Sequence, residues 1–149
     1  MAELSHLDDQ GRASMVDVSD KPVVAREAEA EAFIALQPET LALIADGGTQ
    51  KGDVLAVARV AGIQAAKQTQ LLIPLCHQIP LTKVQVDFAL EPDGLRVTTL
   101  VRTRAQTGVE MEALMAANVA ALTVFDMCKA VDKVMRIDGL RVLRKDKAG

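Results

Sequence analysis

Residues 23–35 read VVAREAEAEAFIA, and the fold turns on whether this stretch is helix or strand. Alanine and glutamate favour helix by propensity. The pattern, however, has period two: Arg26, Ala28, Ala30, Ala32 and Ile34 fall on one side, Glu27, Glu29, Glu31 and Phe33 on the other. Alternation places successive side chains on opposite faces of a sheet, so a strand is predicted. Downstream, Pro38 opens a short helix that Gly47 and Gly48 stop, proline at the start and glycine past the end. Asp53 caps a longer helix running to just before Pro74, with Val54, Val57, Ala58, Ala61, Ala65 and Leu72 as its apolar face. Residues 82–90 alternate Val84, Val86, Phe88 and Leu90 against Lys83, Gln85 and Asp87. Pro92-Asp93-Gly94 then turns the chain into residues 95–103, a β-hairpin. Met111 to Val131 forms one long Ala-rich helix presenting Leu114, Val119, Leu122, Phe125 and Val131, and residues 135–145 form a last strand bent at Asp138-Gly139.

The order β, α, α, β, β, α, β predicts an α+β fold: a ferredoxin-like split βαβ antiparallel sheet with helices on one face and one extra short helix. The second sheet face also carries apolar residues in this reading and is expected to meet another subunit. Residues 1–14 are polar and non-periodic and read as a flexible arm with His6 solvated; residues 15–149 read as a single domain.

Composition narrows the function. The chain has 149 residues, half of them apolar and a quarter charged, with a net charge of -3. A chain of this length buries a real core. No run reads as long enough to cross a bilayer and no signal-peptide pattern is present, so a soluble cytoplasmic protein with no membrane partner is expected. Three Phe, no Trp or Tyr and no dense basic tract argue against a nucleic-acid polymer as partner. Cys76 and Cys128 are the two cysteines, too few for a disulfide framework and without CxxC spacing.

The candidate chemistry is modest residue by residue. Lys51-Gly52-Asp53 puts a cation before a helix start, an anion site if a ligand joins it and otherwise a solvated loop lysine. Lys67 sits near a helix end, where a lysine is comfortable without any function. Cys76-His77 lies between Pro74 and Pro80. Adjacent side chains in an extended loop diverge, which suits neither a joint nucleophile nor one metal, and leaves a substrate contact or a hydrogen-bonded turn histidine. Glu110 and Glu112 flank Met111 at a helix start and complement its dipole. Asp126 and Lys129, three apart, form either a surface pair or, in a dry cleft, a proton-transfer pair. Together the set points to acid-base chemistry on a small polyanion.

A resemblance carries this further. IQAAKQTQLLIPLCHQIPL, TGVEMEAL and ALTVFDMCKA, with MVDVSDK, REAEAEAFI and KGDVLAVARVAGI, closely resemble the MoaC family of molybdenum cofactor biosynthesis, the cyclic pyranopterin monophosphate synthases. The resemblance covers nearly the whole chain after the arm. It implies a lyase that converts 3',8-cyclised dihydro-GTP into cyclic pyranopterin monophosphate and pyrophosphate, without a cofactor beyond any Mg²⁺ that accompanies the triphosphate and with no metal site. It further implies a homohexamer, a trimer of dimers with active sites between subunits, linked in function to a radical SAM GTP cyclase. On matching positions, it implies that Asp126 is the catalytic acid/base, with Lys129 its partner and Lys51 beside them. Substrate binding falls to Leu75, Cys76, His77, Glu110, Met111 and Glu112, with Lys67 in the pocket, Lys145 on phosphate and Arg26 on the first strand. Two other readings stay open: a non-catalytic ferredoxin-like binding module, and a different nucleotide-converting enzyme. The chain departs from the family pattern at Gln78-Ile79, where Pro-Leu is common, and at Phe125, where Tyr is common. It also reads Lys145-Asp146-Lys147-Ala148-Gly149 where a Gly-Gly-Lys motif is usual, which implies an altered phosphate clamp.

Overall fold

The computed structural model describes residues 3–47 and 53–148. The opening stretch is a strand, β1 (Val24–Ala35), followed by α1 (Pro38–Ala45), α2 (Val54–Lys67), α3 (Thr69–Leu72), β2 (Leu81–Glu91), β3 (Gly94–Ala105), α4 (Glu110–Cys128) and β4 (Arg136–Lys147). The sheet order is β2-β3-β1-β4 with every neighbouring pair antiparallel. This is the ferredoxin-like arrangement, with β1 between β3 and β4.

The period-two reading of β1 explains its central place. Ala28, Ala30 and Ala32 are fully buried beneath the helices among Val97, Val101 and the alanines of α4, and Ile34 is fully buried further along with Ile44, Val54, Leu95 and Val124. Small side chains on the middle strand let α4 lie close to the sheet, and α2 packs beside α4 in turn. Gly62 marks how close: a Cβ there would stand 2.9 Å from the Ala116 carbonyl oxygen and 3.2 Å from both Ala120 Cβ and Val86 Cγ2.

Three expectations need correction. The buried face of α4 is Ala113, Ala116, Ala117, Ala120, Ala121, Val124, Met127 and Cys128, whereas Leu122 and Val131 are exposed. On α2, Ala58, Gly62, Ala65 and Ala66 turn inward and Val57 outward; Leu72 is exposed as well. The expected faces are therefore right only in part: Val54, Ala58 and Ala65 are buried and Leu114 and Phe125 pack against the core, while Val57, Leu72, Leu122 and Val131 turn outward because helices in close contact hold small residues between them. The expected single helix from Asp53 to Pro74 also breaks at Gln68, where Thr69 turns its hydroxyl onto the Ala65 carbonyl at 2.9 Å. The Asp53 cap holds, its carboxylate accepting the Ala56 amide at 3.1 Å.

The open sheet face is charged, not apolar. Glu27 pairs with Arg102 and Arg144, Glu29 with Arg144, and Glu31 with Arg96 and Arg141. Arg96 also lies over the Phe33 ring at 5.1 Å, and Leu100 sits opposite Glu29 and Gln85. The premise that this face is apolar is thereby overturned. Finally, α4 is long and apolar enough by length and composition to cross a bilayer, against the expectation that no run is. Its alanine face lies under the sheet and α2, and it is the central helix of this core.

Candidate active site

Pro74 and Pro80 bound the loop between α3 and β2, and fix its entry and exit because proline sets its own φ. The Cys76 amide donates to the Ile73 carbonyl at 3.1 Å, so Leu75, Cys76 and His77 form a tight corner. That corner faces the first turn of α4. Together they line a cavity of about 310 Å³ whose walls include Leu75, Cys76, His77, Glu110, Met111 and Glu112. A second cavity of about 430 Å³ adjoins it, lined by Arg26, Lys145 and Lys147. The two share Lys21, Thr107, Gly108 and Glu110, so an apolar and hydrogen-bonding compartment opens onto one of mixed charge, where Lys21, Arg26, Lys145 and Lys147 stand among Glu27, Glu110 and Asp146.

Glu112 is only 2% exposed. Its Oε2 accepts from the Cys76 thiol at 3.7 Å, and its Oε1 has no hydrogen-bond partner among the described residues. Burial pushes its carboxyl above the ordinary range, against the opposing pull of its own amide and the Cys76 thiol; Glu110 adds to the rise. Burial likewise raises the Cys76 thiol to about 11, with the Glu112 and Glu110 charges contributing. A thiol so raised is neutral near pH 7, the reverse of an activated nucleophile. His77 Nε2 meets the Val16 carbonyl; since a carbonyl only accepts, that nitrogen carries the hydrogen. Glu110 reaches toward Lys145, its Oε2 lying 3.9 Å from the lysine Nζ. Arg26 is held by its Nε on the Ala105 carbonyl at 3.2 Å.

Asp126 and Lys129 lie elsewhere. Lys129 Nζ donates to Asp126 Oδ1 at 2.7 Å in an exposed pair near the C-terminal end of α4. Sixteen residues of helix separate Asp126 from Glu110, about 24 Å at 1.5 Å per residue. Lys67 is exposed at the end of α2 and lines neither cavity. Lys51 falls outside the described residues, as does Gly48. One chain thus gathers ten sequence-identified residues into two groups: eight, Arg26 among them, around the joined cavities at the start of α4, and the Asp126–Lys129 pair near its other end.

Sequence reading missed Lys21, Val16, Thr107 and Gly108. Gly108 had a readable signal, a glycine just before a helix start; in the structure a Cβ there would run into the Glu110 carboxylate. Lys21 closes the MVDVSDK segment, which carried the resemblance but no residue-level role. The arm also has structure of its own. Leu7 and Ala13 form an antiparallel bridge, Asp8 accepts the Gln10 and Arg12 amides, and Ser5 and His6 line the cavity beside His77.

Residues 15–148 match the family described as MoaC. The chain belongs to the MoaC family. MoaC relatives include the cyclic pyranopterin monophosphate synthases of Chloroflexus aggregans (strain MD-66 / DSM 9485) and Chloroflexus aurantiacus (strain ATCC 29366 / DSM 635 / J-10-fl). Each is 59% identical over 145 residues, which is 96% of this chain and 88% and 89% of the respective relative. The matched residues span both the cavity corner and the distant Asp126–Lys129 pair.

Proposed function

We propose that this MoaC protein is a lyase carrying out the cyclic pyranopterin monophosphate synthase reaction, turning 3',8-cyclised dihydro-GTP into cyclic pyranopterin monophosphate and pyrophosphate. The observation that carries the reading beyond the relatives' name is the pair of joined cavities. One compartment offers Glu112, His77 and the Leu75 wall to a flat, hydrogen-bonding ring system. The other offers Arg26, Lys145 and Lys147, with Lys21 between, to a triphosphate.

The chemistry asks for proton transfers during purine-ring opening and pterin-ring closure, then attack of a ribose oxygen on the α-phosphorus. The bond from that phosphorus to the departing oxygen breaks, and pyrophosphate leaves with the electron pair. Asp126 and Lys129 suit the proton transfers, since a carboxylate and an ammonium 2.7 Å apart can exchange a proton with a ligand seated on them. The cations of the second cavity suit the charge that builds on the phosphates. Glu110, Met111 and the lysines Lys51 and Lys67 complete the binding set in this reading.

Because Asp126 lies about 24 Å along α4 from the cavities, we infer that a complete site takes the cavities of one subunit and the Asp126–Lys129 end of another. A homohexamer built as a trimer of dimers satisfies this. The two free cysteines, Cys76 and Cys128, fit a reducing cytoplasm, and a radical SAM GTP cyclase is the reaction class that supplies the cyclised substrate. The test is anaerobic incubation of the protein with 3',8-cyclised dihydro-GTP, following pyrophosphate and the fluorescent oxidised pterin. Release of both in equal amounts supports the reading; a folded protein that binds the substrate and releases neither overturns it.

A further inference from the structure

Glu112 is nearly fully buried, lines the first cavity, and leaves Oε1 without a hydrogen-bond partner among the described residues. A buried polar atom without a partner is costly and uncommon, and it calls for a donor. The thiol beside it has an unusual choice of acceptors. Cys76 Sγ lies 3.7 Å from Glu112 Oε2 and 3.7 Å from the His77 carbonyl oxygen.

A thiol carries one hydrogen, and its sulfur also accepts weakly. It can therefore meet either form of the carboxyl. With Glu112 ionised, the S–H points at Oε2. With Glu112 protonated on Oε2, the S–H turns to the His77 carbonyl and the sulfur receives the acid's hydrogen. We propose that Cys76 is the positioning residue of Glu112, a rotating thiol that lets this buried carboxyl gain and lose a proton while Oε1 is kept for an N–H donor of the bound ligand. When such a donor reaches Oε1, the carboxyl ionises and its proton passes to a ligand nitrogen or to solvent. The identity of that ligand rests on the function proposed above; the thiol contact does not.

The charges around the pair agree. Glu110 on the same helix holds the carboxyl's proton more tightly, His77 on the facing corner loosens it, and Lys21 and His6 stand on the remaining wall. The high thiol pKa, about 11, keeps Cys76 a donor through the working range of pH.

The experiment has two arms. In the first, the pH dependence of alkylation by iodoacetamide is measured for wild type and Glu112→Gln, with Cys76→Ala subtracting any reaction at Cys128. Removing the carboxylate should lower the Cys76 titration, with burial still holding it above an ordinary thiol; an unchanged titration overturns the proposal. In the second, kcat/KM for 3',8-cyclised dihydro-GTP is followed against pH. Cys76→Ala should lower it roughly tenfold, as loss of one hydrogen bond to a charged group does, and move the limb that belongs to Glu112. Cys76→Ser, whose hydroxyl also donates and accepts, should restore both. A Cys76→Ala profile that superimposes on wild type overturns the proposal. If wild type gives no turnover while the thiol titration still shifts in Glu112→Gln, the proposed reaction falls and the Cys76–Glu112 pairing stands.

Discussion

Asp126 and Lys129 hold each other at 2.7 Å with 58% and 60% of their side chains exposed. An exposed pair contributes at most about 1 kcal/mol to stability. Asp126→Asn is therefore expected to leave Tm within about 2 °C of wild type, while lowering kcat by a hundredfold or more in the pyrophosphate assay, the order expected for a lost acid-base group. A parallel fall in both would make the pair structural. Glu112 stands at the opposite extreme. Burial holds its folded pKa above the unfolded one, so its neutral form suits the fold, and stability present at low pH is lost as pH rises through the folded pKa. Glu112→Gln should thus raise Tm at pH 8, with the gain shrinking toward pH 4, while activity falls. Calorimetry across pH checks it, and a pH-independent difference would contradict the titration. Sequence reading found most of these residues because carboxylates and cations at helix starts and in proline-bounded loops carry recognisable spacing. It could also have found their separation, since Glu110 and Asp126 were already on one helix. Burial of Glu112 and the pocket role of Lys21 were not readable, because both depend on what the chain brings from elsewhere.

Among the elements, β1 was legible against its own propensity because period two leaves no apolar face on a helix. The helices were legible in place, but not in their C-terminal ends and only partly in orientation. Alanine and glycine pattern weakly, so the eye follows Leu122 and Val57, while close packing of α2 on α4 admits only the small side chains. Gly62 tests this. Alanine is the better helix former by about 1 kcal/mol, yet its Cβ would meet the Ala116 carbonyl oxygen at 2.9 Å. Overpacking of this kind costs about 1–3 kcal/mol, so Gly62→Ala should lower Tm despite the gain in propensity; a higher Tm would show that the helices separate freely. A second device joins α1 to the end of α4. Gln37 makes no side-chain cap for α1. Instead the buried Asp132 accepts the Gln37 amide at 2.9 Å and the Thr40 hydroxyl at 2.8 Å. This also draws the chain away from helix after Cys128, short of the expected Val131. Burial raises the Asp132 pKa, but the Gln37 amide, Thr40 hydroxyl and Val134 amide outweigh it and the net shift is downward. A depressed carboxylate contributes stability above its unfolded pKa and loses it as pH falls through the folded one. Asp132→Asn should cost about 1–3 kcal/mol at pH 7, and its deficit relative to wild type should narrow below about pH 4.

At the scale of the whole molecule, the large apolar side chains that the helices turn outward need a destination. Val57, Val60, Leu71, Leu72 and Leu122 are all exposed, as are Leu140 and Leu143 on the edge strand β4. The open sheet face, by contrast, satisfies its own charges, Glu27, Glu29 and Glu31 each meeting at least one arginine. An interface between copies is therefore better served by the outer helix surfaces and β4 than by the sheet face that the sequence pointed to. The same conclusion follows from the site, whose proposed parts lie too far apart on one chain to touch one ligand. This makes a sharp prediction. Glu112→Gln disables the cavity end and Asp126→Asn the other, and each variant alone should be nearly inactive. When the two are unfolded and refolded together as a mixture, random pairing in an isologous dimer gives half mixed dimers. Each of these carries one site free of either change and one with both, so about one quarter of wild-type activity should return. Recovery at that level, absent when the separately refolded variants are merely combined at assay, fits a site shared between subunits. A mixture no more active than its components would mean that each chain completes its own site, and the Asp126–Lys129 pair would then lose its place in the reaction.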